Sequence, residues 1–135
     1  MRLIILLFLM ANAFCAYSQL FIGDSKRDVK AALVSSNAKF SEAKLTDSTS
    51  RISWLKENEF QMIWVLNQKD TVIRQTLIPE KENGINEFVK WFNKDFVIIS
   101  PTEWRNYRNG IIYEIKMENL LNEHIFAITL FRNHN

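Results

Sequence analysis

In Phe60-Gln61-Met62-Ile63-Trp64-Val65-Leu66, large apolar residues recur at every second position. A period of two belongs to a strand, whose successive side chains alternate between faces. Phe60, Met62, Trp64 and Leu66 fall on one face, and Gln61, Ile63 and Val65 on the other. Apolar groups on both faces predict a strand in the interior of a sheet. Working toward the N-terminus, Ile52 and Trp54 alternate with Arg51, Ser53 and Leu55, which predicts a second strand joined through a turn at Glu57-Asn58. A two-residue turn there sets position 54 near 61 and Trp64 near 51. Residues 39–46 read as a weaker strand ahead of a turn at Asp47-Ser48-Thr49-Ser50. On the C-terminal side, Asn67-Gln68-Lys69-Asp70 turns the chain into a strand over 71–78, ended by Pro79. Consecutive strands with short polar turns make an antiparallel meander.

Two segments change period. Val29 and Leu33, behind a cap at Asp24 or Ser25, predict a helix that stops near Ser35-Ser36-Asn37. Ile85, Phe88, Val89 and Phe92 lie at i, i+3, i+4 and i+7, a helical stripe running from about Lys81 or Asn83 to Asn93, with Trp91 at its margin. Val97-Ile98-Ile99 reads as a short buried strand. Ser100-Pro101-Thr102-Glu103 combines an N-cap, a proline at the first helical position and a glutamate three residues on. It predicts one or two helical turns through Tyr107, ended at Asn109-Gly110. Ile111, Tyr113, Ile115 and Met117 then alternate as a strand, residues 119–123 turn, and 124–131 form the last strand. Runs of adjacent strands with two principal helices predict an α+β domain, an antiparallel meander with both helices packed on one face. Helix followed by strands occurs twice, an echo of order without a residue-level repeat.

The first eighteen residues have a different character. Met1-Arg2 supplies positive charge, Leu3 to Met10 is an unbroken apolar run, and Ala16-Tyr17-Ser18 offers small residues at the two positions a signal peptidase reads. That order predicts a secretory leader, residues 1–18, cleaved before Gln19. The apolar stretch falls short of the ~20 residues that span a bilayer, so no stable membrane anchor is expected after cleavage. The single cysteine, Cys15, lies in the leader behind Phe14, where a lipoprotein signal wants a small residue. The exported domain, residues 19–135, is therefore expected to fold without disulfides, on apolar packing alone.

Without Arg2 the chain holds 16 Lys+Arg against 15 Asp+Glu. No block of like charge is present, and nucleic acid is not indicated as a partner. Richness in Asn, Ile and Lys is a compositional sign of an AT-rich bacterial genome.

Ile22-Gly23-Asp24-Ser25 with Val29 and Leu33 resembles the Gly-x-Ser/Thr-x-x-x-Val-x-x-x-Leu opening of small exported α+β domains. Examples are the outer-membrane assembly lipoproteins of the SmpA/BamE type and the β-lactamase-inhibitor-like proteins. The match covers about a dozen residues, and Ser35-Ser36-Asn37-Ala38 stands where those families often carry Gly-x-Pro. The resemblance implies a helix packed on an antiparallel sheet and binding of protein partners. It transfers no functional residue.

Catalytic groups are sparse. His134 is next to the end, and His124 opens the last strand near Glu123 and opposite Glu114 and Glu118, a set that an unfamiliar hydrolase could use; Glu57 with Glu59 is a second close carboxylate pair. There is no His-x-His, no His-Glu-x-x-His, no Gly-x-Ser-x-Gly and no cysteine beyond the leader. Gly23 stands alone, without the glycine-rich loop that cradles phosphate. Neither a catalytic residue nor a metal or organic cofactor is expected. The aromatic set has more content. Trp104, Arg105, Tyr107 and Arg108 gather the residue types that dominate binding hot spots, and are the predicted contact surface for an envelope protein partner. The rival expectation is a carrier, with an apolar pocket between helix and sheet lined by Trp64, Phe88 and Phe92.

Overall fold

A computed structural model of the chain describes residues 21–108, 110–120 and 123–130. The predicted leader, with Cys15 and the expected cleavage point, lies outside them, as does His134. In chain order the elements are α1 (Lys26–Ser35), β1 (Phe40–Lys44), β2 (Ser50–Lys56), β3 (Phe60–Leu66), β4 (Val72–Pro79), α2 (Glu82–Asp95), β5 (Val97–Ser100), β6 (Glu103–Arg108), β7 (Ile111–Leu120) and β8 (Glu123–Leu130). All strand pairings are antiparallel, in the order β1-β2-β3-β4-β8-β7-β6-β5. The fold is α+β with an antiparallel meander. Each half is one helix and four strands, and the last strands of the two halves meet through Gln75↔Ile128, Thr76↔Ala127 and Leu77↔Phe126.

The alternation in β3 is realised: Phe60, Met62, Trp64 and Leu66 are buried and their neighbours half-buried. Ile52 stands opposite Trp64, and Trp54 opposite Met62. This corrects the register expected from a two-residue turn. The turn spans three residues, 57–59, with Asn58 at φ 63°. The extra residue brings Trp54 and Trp64 to the same face, since a slip by one would send a strand's side chains to the other side. Asparagine is among the few residues that tolerate that backbone region.

Ser25 caps α1, its Oγ accepting from the Asp28 N–H at 3.2 Å. Val29 and Leu33 enter the core. Lys26 and Lys30 of α1 both pair with Glu42 on β1, and Lys30 also lies over the Phe40 ring. Ile85, Phe88, Val89 and Trp91 of α2 pack on the core, and Phe92 is inside it. Rings link the two halves through α2: Trp54–Phe60 at 5.2 Å, Phe60–Phe88 at 6.0 Å, Phe88–Phe92 at 6.3 Å and Phe92–Trp104 at 5.3 Å between centroids. By register Phe40, Glu42, Phe60 and Trp104 share the sheet face of Trp64.

Two sequence expectations fail in the second half. Residues 103–107 are a strand, not helical turns. The capping pattern at Ser100-Pro101-Thr102-Glu103 is a local signal, and pairing on both flanks, to β5 and to β7, overrides it. Trp104 and Tyr107 are residue types that favour pleated surfaces. Arg108 pairs with Ile111, which closes a β6–β7 hairpin, with Gly110 at φ 75°. Asn-Gly between alternating residues is the strongest short-range hairpin signal. Val97-Ile98-Ile99 is a strand, but an exposed one, because the sheet ends at β5. Among the described residues, no helix is long and apolar enough to cross a membrane.

Candidate functional site

The predicted contact segment divides between the two faces of β6. Trp104 is fully buried, with its ring against Phe92 and its Nε1 donating to the Asn93 Oδ1 at 2.7 Å. It holds α2 to the sheet and offers a partner nothing. Arg105 and Tyr107 point the other way, opposite Glu114 and Ile112 of β7. Tyr107 is 56% exposed, while Arg105 is only partly so. The backbone of Arg108 closes the hairpin, and its side chain lies outside the described residues.

What the sequence pattern missed is beside this segment. Val97, Ile98 and Ile99 on β5 are 51%, 55% and 44% exposed. Val97 pairs with Arg105, Ile98 with Trp104, and Ile99 is the bulged residue before Ser100 meets Glu103. Three consecutive aliphatic residues read as core in a sequence, and only the sheet order reveals that, among the described residues, no further strand lies beyond them. Together with Tyr107 they form an apolar margin at one end of the sheet.

The expected carrier walls are filling rather than lining. Trp64 and Phe92 are buried, and the Phe21 ring meets Trp64 edge-on at 5.9 Å and 81°. Phe88 touches Phe60, Trp91 and Phe92. Space for a ligand between helix and sheet requires these rings to part. The Trp64 Nε1 is buried without a hydrogen-bond partner, an apolar setting for a donor.

A groove of about 370 Å³ lies elsewhere, where the β1–β2 turn, the β3–β4 turn and the start of α1 converge, among Lys26, Glu42, Thr46, Thr49, Asn67 and Asp70. Its polar groups serve their own turns. Thr46 Oγ1 accepts from the Ser48 and Thr49 N–H groups at 3.2 and 3.1 Å, and Asn67 Oδ1 from those of Lys69 and Thr71 at 3.0 and 3.1 Å. The Lys26 N–H donates to the Asp70 carbonyl at 2.8 Å. Hydrogen bonds from Lys30 and then Lys26 hold the Glu42 carboxyl below its ordinary value, the state of a carboxylate locked in an ion pair.

The two carboxylates suggested for hydrolysis each lie beside a different cation. Glu118 pairs with Arg74 at 3.4 Å, and Glu114 lies 3.5 Å from Lys116. In backbone register His124 is level with Asn119. Among the described residues no cluster of three or more His, Cys, Asp or Glu is placed to hold a metal ion.

No protein-family model, curated protein or solved structure matches this chain. The Ile22–Leu33 resemblance therefore remains one of local pattern, and the β5–β6 margin must be read on its own chemistry.

Proposed function

We propose that this chain is an exported, non-enzymatic binding or accessory module of a bacterial envelope, with the β5 edge and Tyr107 as its contact surface. The observation that carries the reading is the uncharged run Val97-Ile98-Ile99 standing half-exposed at a sheet edge. Edges of that kind template pairing unless something covers them, and a solitary domain gains no stability by keeping one. Tyr107 on the neighbouring strand adds the amphipathic ring that interfaces favour. The basic start, apolar run and small-x-small exit of residues 1–18 support export.

Two measurements test it. Intact mass of the protein recovered from its native host reads the cleavage point, and a mature chain starting at Gln19 is expected. A leader still attached would remove the export part of the reading. Tagged residues 19–135 are then used to capture partners from the native envelope. A single stoichiometric protein partner is expected, lost in Tyr107→Ala and in Ile98→Lys at unchanged melting temperature. Recovery of a small molecule alone, indifferent to both substitutions, would favour the carrier.

A further inference from the structure

The two edges of the sheet are built differently. At the β1 edge, Glu42 stands by register on the face of Ile52, between Lys26 at 3.0 Å and Lys30, and Lys44 ends the strand. Inward-facing charge and lysine are devices by which natural sheets keep an edge from pairing. The β5 edge, four residues long and bulged at Ile99, has neither. From Val97 to Ser100 there is no charged residue, and its three aliphatic side chains are exposed.

Those side chains do not share a face. Val97 is level with Arg105 and Ile98 with Trp104, and successive strand residues point to opposite sides. An occupant lying on either face of the sheet covers one of the two. An occupant in the plane of the sheet, laid alongside β5, covers both and also meets the outward backbone N–H and C=O groups of an edge strand.

Building on the proposed contact surface, we infer that β5 accepts an extended, uncharged, β-branched segment of a partner protein as a ninth strand. Main-chain hydrogen bonds then supply affinity, and side chains on both faces supply selectivity. The size of the edge selects a segment over a second copy of this chain. Four residues span ~13 Å, whereas a stable interface between folded chains draws roughly 20–30 residues from each side.

The test uses residues 19–135 and fluorescence anisotropy. The probe is a labelled eight-residue peptide with Val-Ile-Val-Ile at its centre and lysine at both ends. Two further peptides keep every side chain but carry backbone N-methyl groups on the odd or on the even central residues. Since only alternate amides of a strand face a given neighbour, one methylated peptide is expected to bind like the parent and the other at least tenfold more weakly. Val97→Lys and Ile98→Lys, both at exposed positions, are each expected to weaken the parent peptide at least tenfold at unchanged melting temperature. Equal binding of the two methylated peptides overturns strand addition in favour of contact on a face. Absence of parent binding, while Ile98→Lys still strips the captured envelope partner, overturns strand addition and leaves the contact surface standing. If neither the peptide nor the captured partner responds to Ile98→Lys, both readings fall. A dimer in sedimentation equilibrium that Ile98→Lys dissolves assigns the edge to a second copy and overturns the inferred occupant.

Discussion

Trp64 and Trp104 are both buried in one core, and their indole N–H groups are treated differently. The Trp104 indole donates to Asn93, whereas the Trp64 indole is buried without a partner. A buried unpaired donor carries a desolvation penalty of about 1–3 kcal/mol, and a satisfied one contributes about 1 kcal/mol. Trp64→Phe removes a penalty as it removes volume, so it is expected to destabilise less than Trp104→Phe by at least about 1 kcal/mol, read from urea midpoints. Equal losses would show that volume alone decides. Glu42 gives the second residue-level expectation. Its carboxyl is lowered by Lys30 and then Lys26, and Lys26 is raised above 10.5, chiefly by its hydrogen bond to Glu42. The contribution of Glu42 is present above its unfolded value and is lost as pH falls through its lowered folded value. That of Lys26 is present below 10.5 and lost as pH rises through its raised one. All three side chains are about a third exposed or more, so solvent screening keeps each arm below about 1 kcal/mol. Glu42→Gln is expected to flatten the stability profile below pH 4.5 while leaving the neutral plateau within about 1 kcal/mol. An unchanged acid slope would place the relevant carboxyl elsewhere.

At the scale of elements, the β2–β3 turn decides which face Trp54 takes. Asn58 holds φ 63°, a region costing an ordinary L-residue roughly 1–2 kcal/mol. Asn58→Gly is expected to keep stability within about 0.5 kcal/mol and Asn58→Ala to lower it by about 1 kcal/mol, measured by thermal unfolding. Deleting Asn58 shortens the turn to two residues and shifts the register by one. Trp54 would then leave the face of Phe60, and loss of a cooperative transition is the expected result. A deletion variant that melts like the parent would show that this turn does not set the register. The same element marks the limit of what could be read in the chain. Alternation in β3 and the stripe Ile85, Phe88, Val89, Phe92 were legible because each is an internal period that packing only reinforces. The three-residue turn was not, because Glu57, Asn58 and Glu59 fit either length. Residues 100–107 misled for a related reason: a capping box is a local preference, and strand pairing with partners distant in sequence outweighed it. Burial of Val97–Ile99 was illegible in principle. Aliphatic composition says that a segment wants cover, and only sheet order says whether cover exists. The contact segment was half legible, with Tyr107 exposed and Trp104 spent inside.

For the whole molecule, the halves meet along β4 and β8, and α2 joins them through Phe60–Phe88 and Phe92–Trp104. The centre of that arrangement is sealed by residues ahead of α1. Phe21 and Ile22 are buried, with Phe21 edge-on to Trp64. The Phe21 N–H donates at 3.2 Å to the Oε1 of the buried Gln75, whose Nε2 in turn donates to the Met62 Sδ. Gly23, at φ 89°, donates to the Val72 carbonyl at 2.8 Å, and the Val72 N–H donates to Asp24 at 2.9 Å. Residues 21–24 are thus fastened to β4 and behave as part of the core. Burying two large apolar side chains stabilises by about 1.5–3 kcal/mol each, against a total of about 5–15 kcal/mol for a domain. A chain starting at Ser25 also leaves Gln75 without its backbone donor. It is expected to lose a third or more of its stability relative to residues 19–135, whereas a chain starting at Phe21 stays within about 1 kcal/mol. Urea unfolding of the three lengths measures this directly. The result bears on the proposed export as well, because the proposed cleavage before Gln19 would spare the Phe21 anchor, and a cut only a few residues further on would remove it. Equal stability of the chains starting at 19 and at 25 would mean that residues 21–24 cover the core without contributing to it, and the position of the cut would then be free of any demand from the fold.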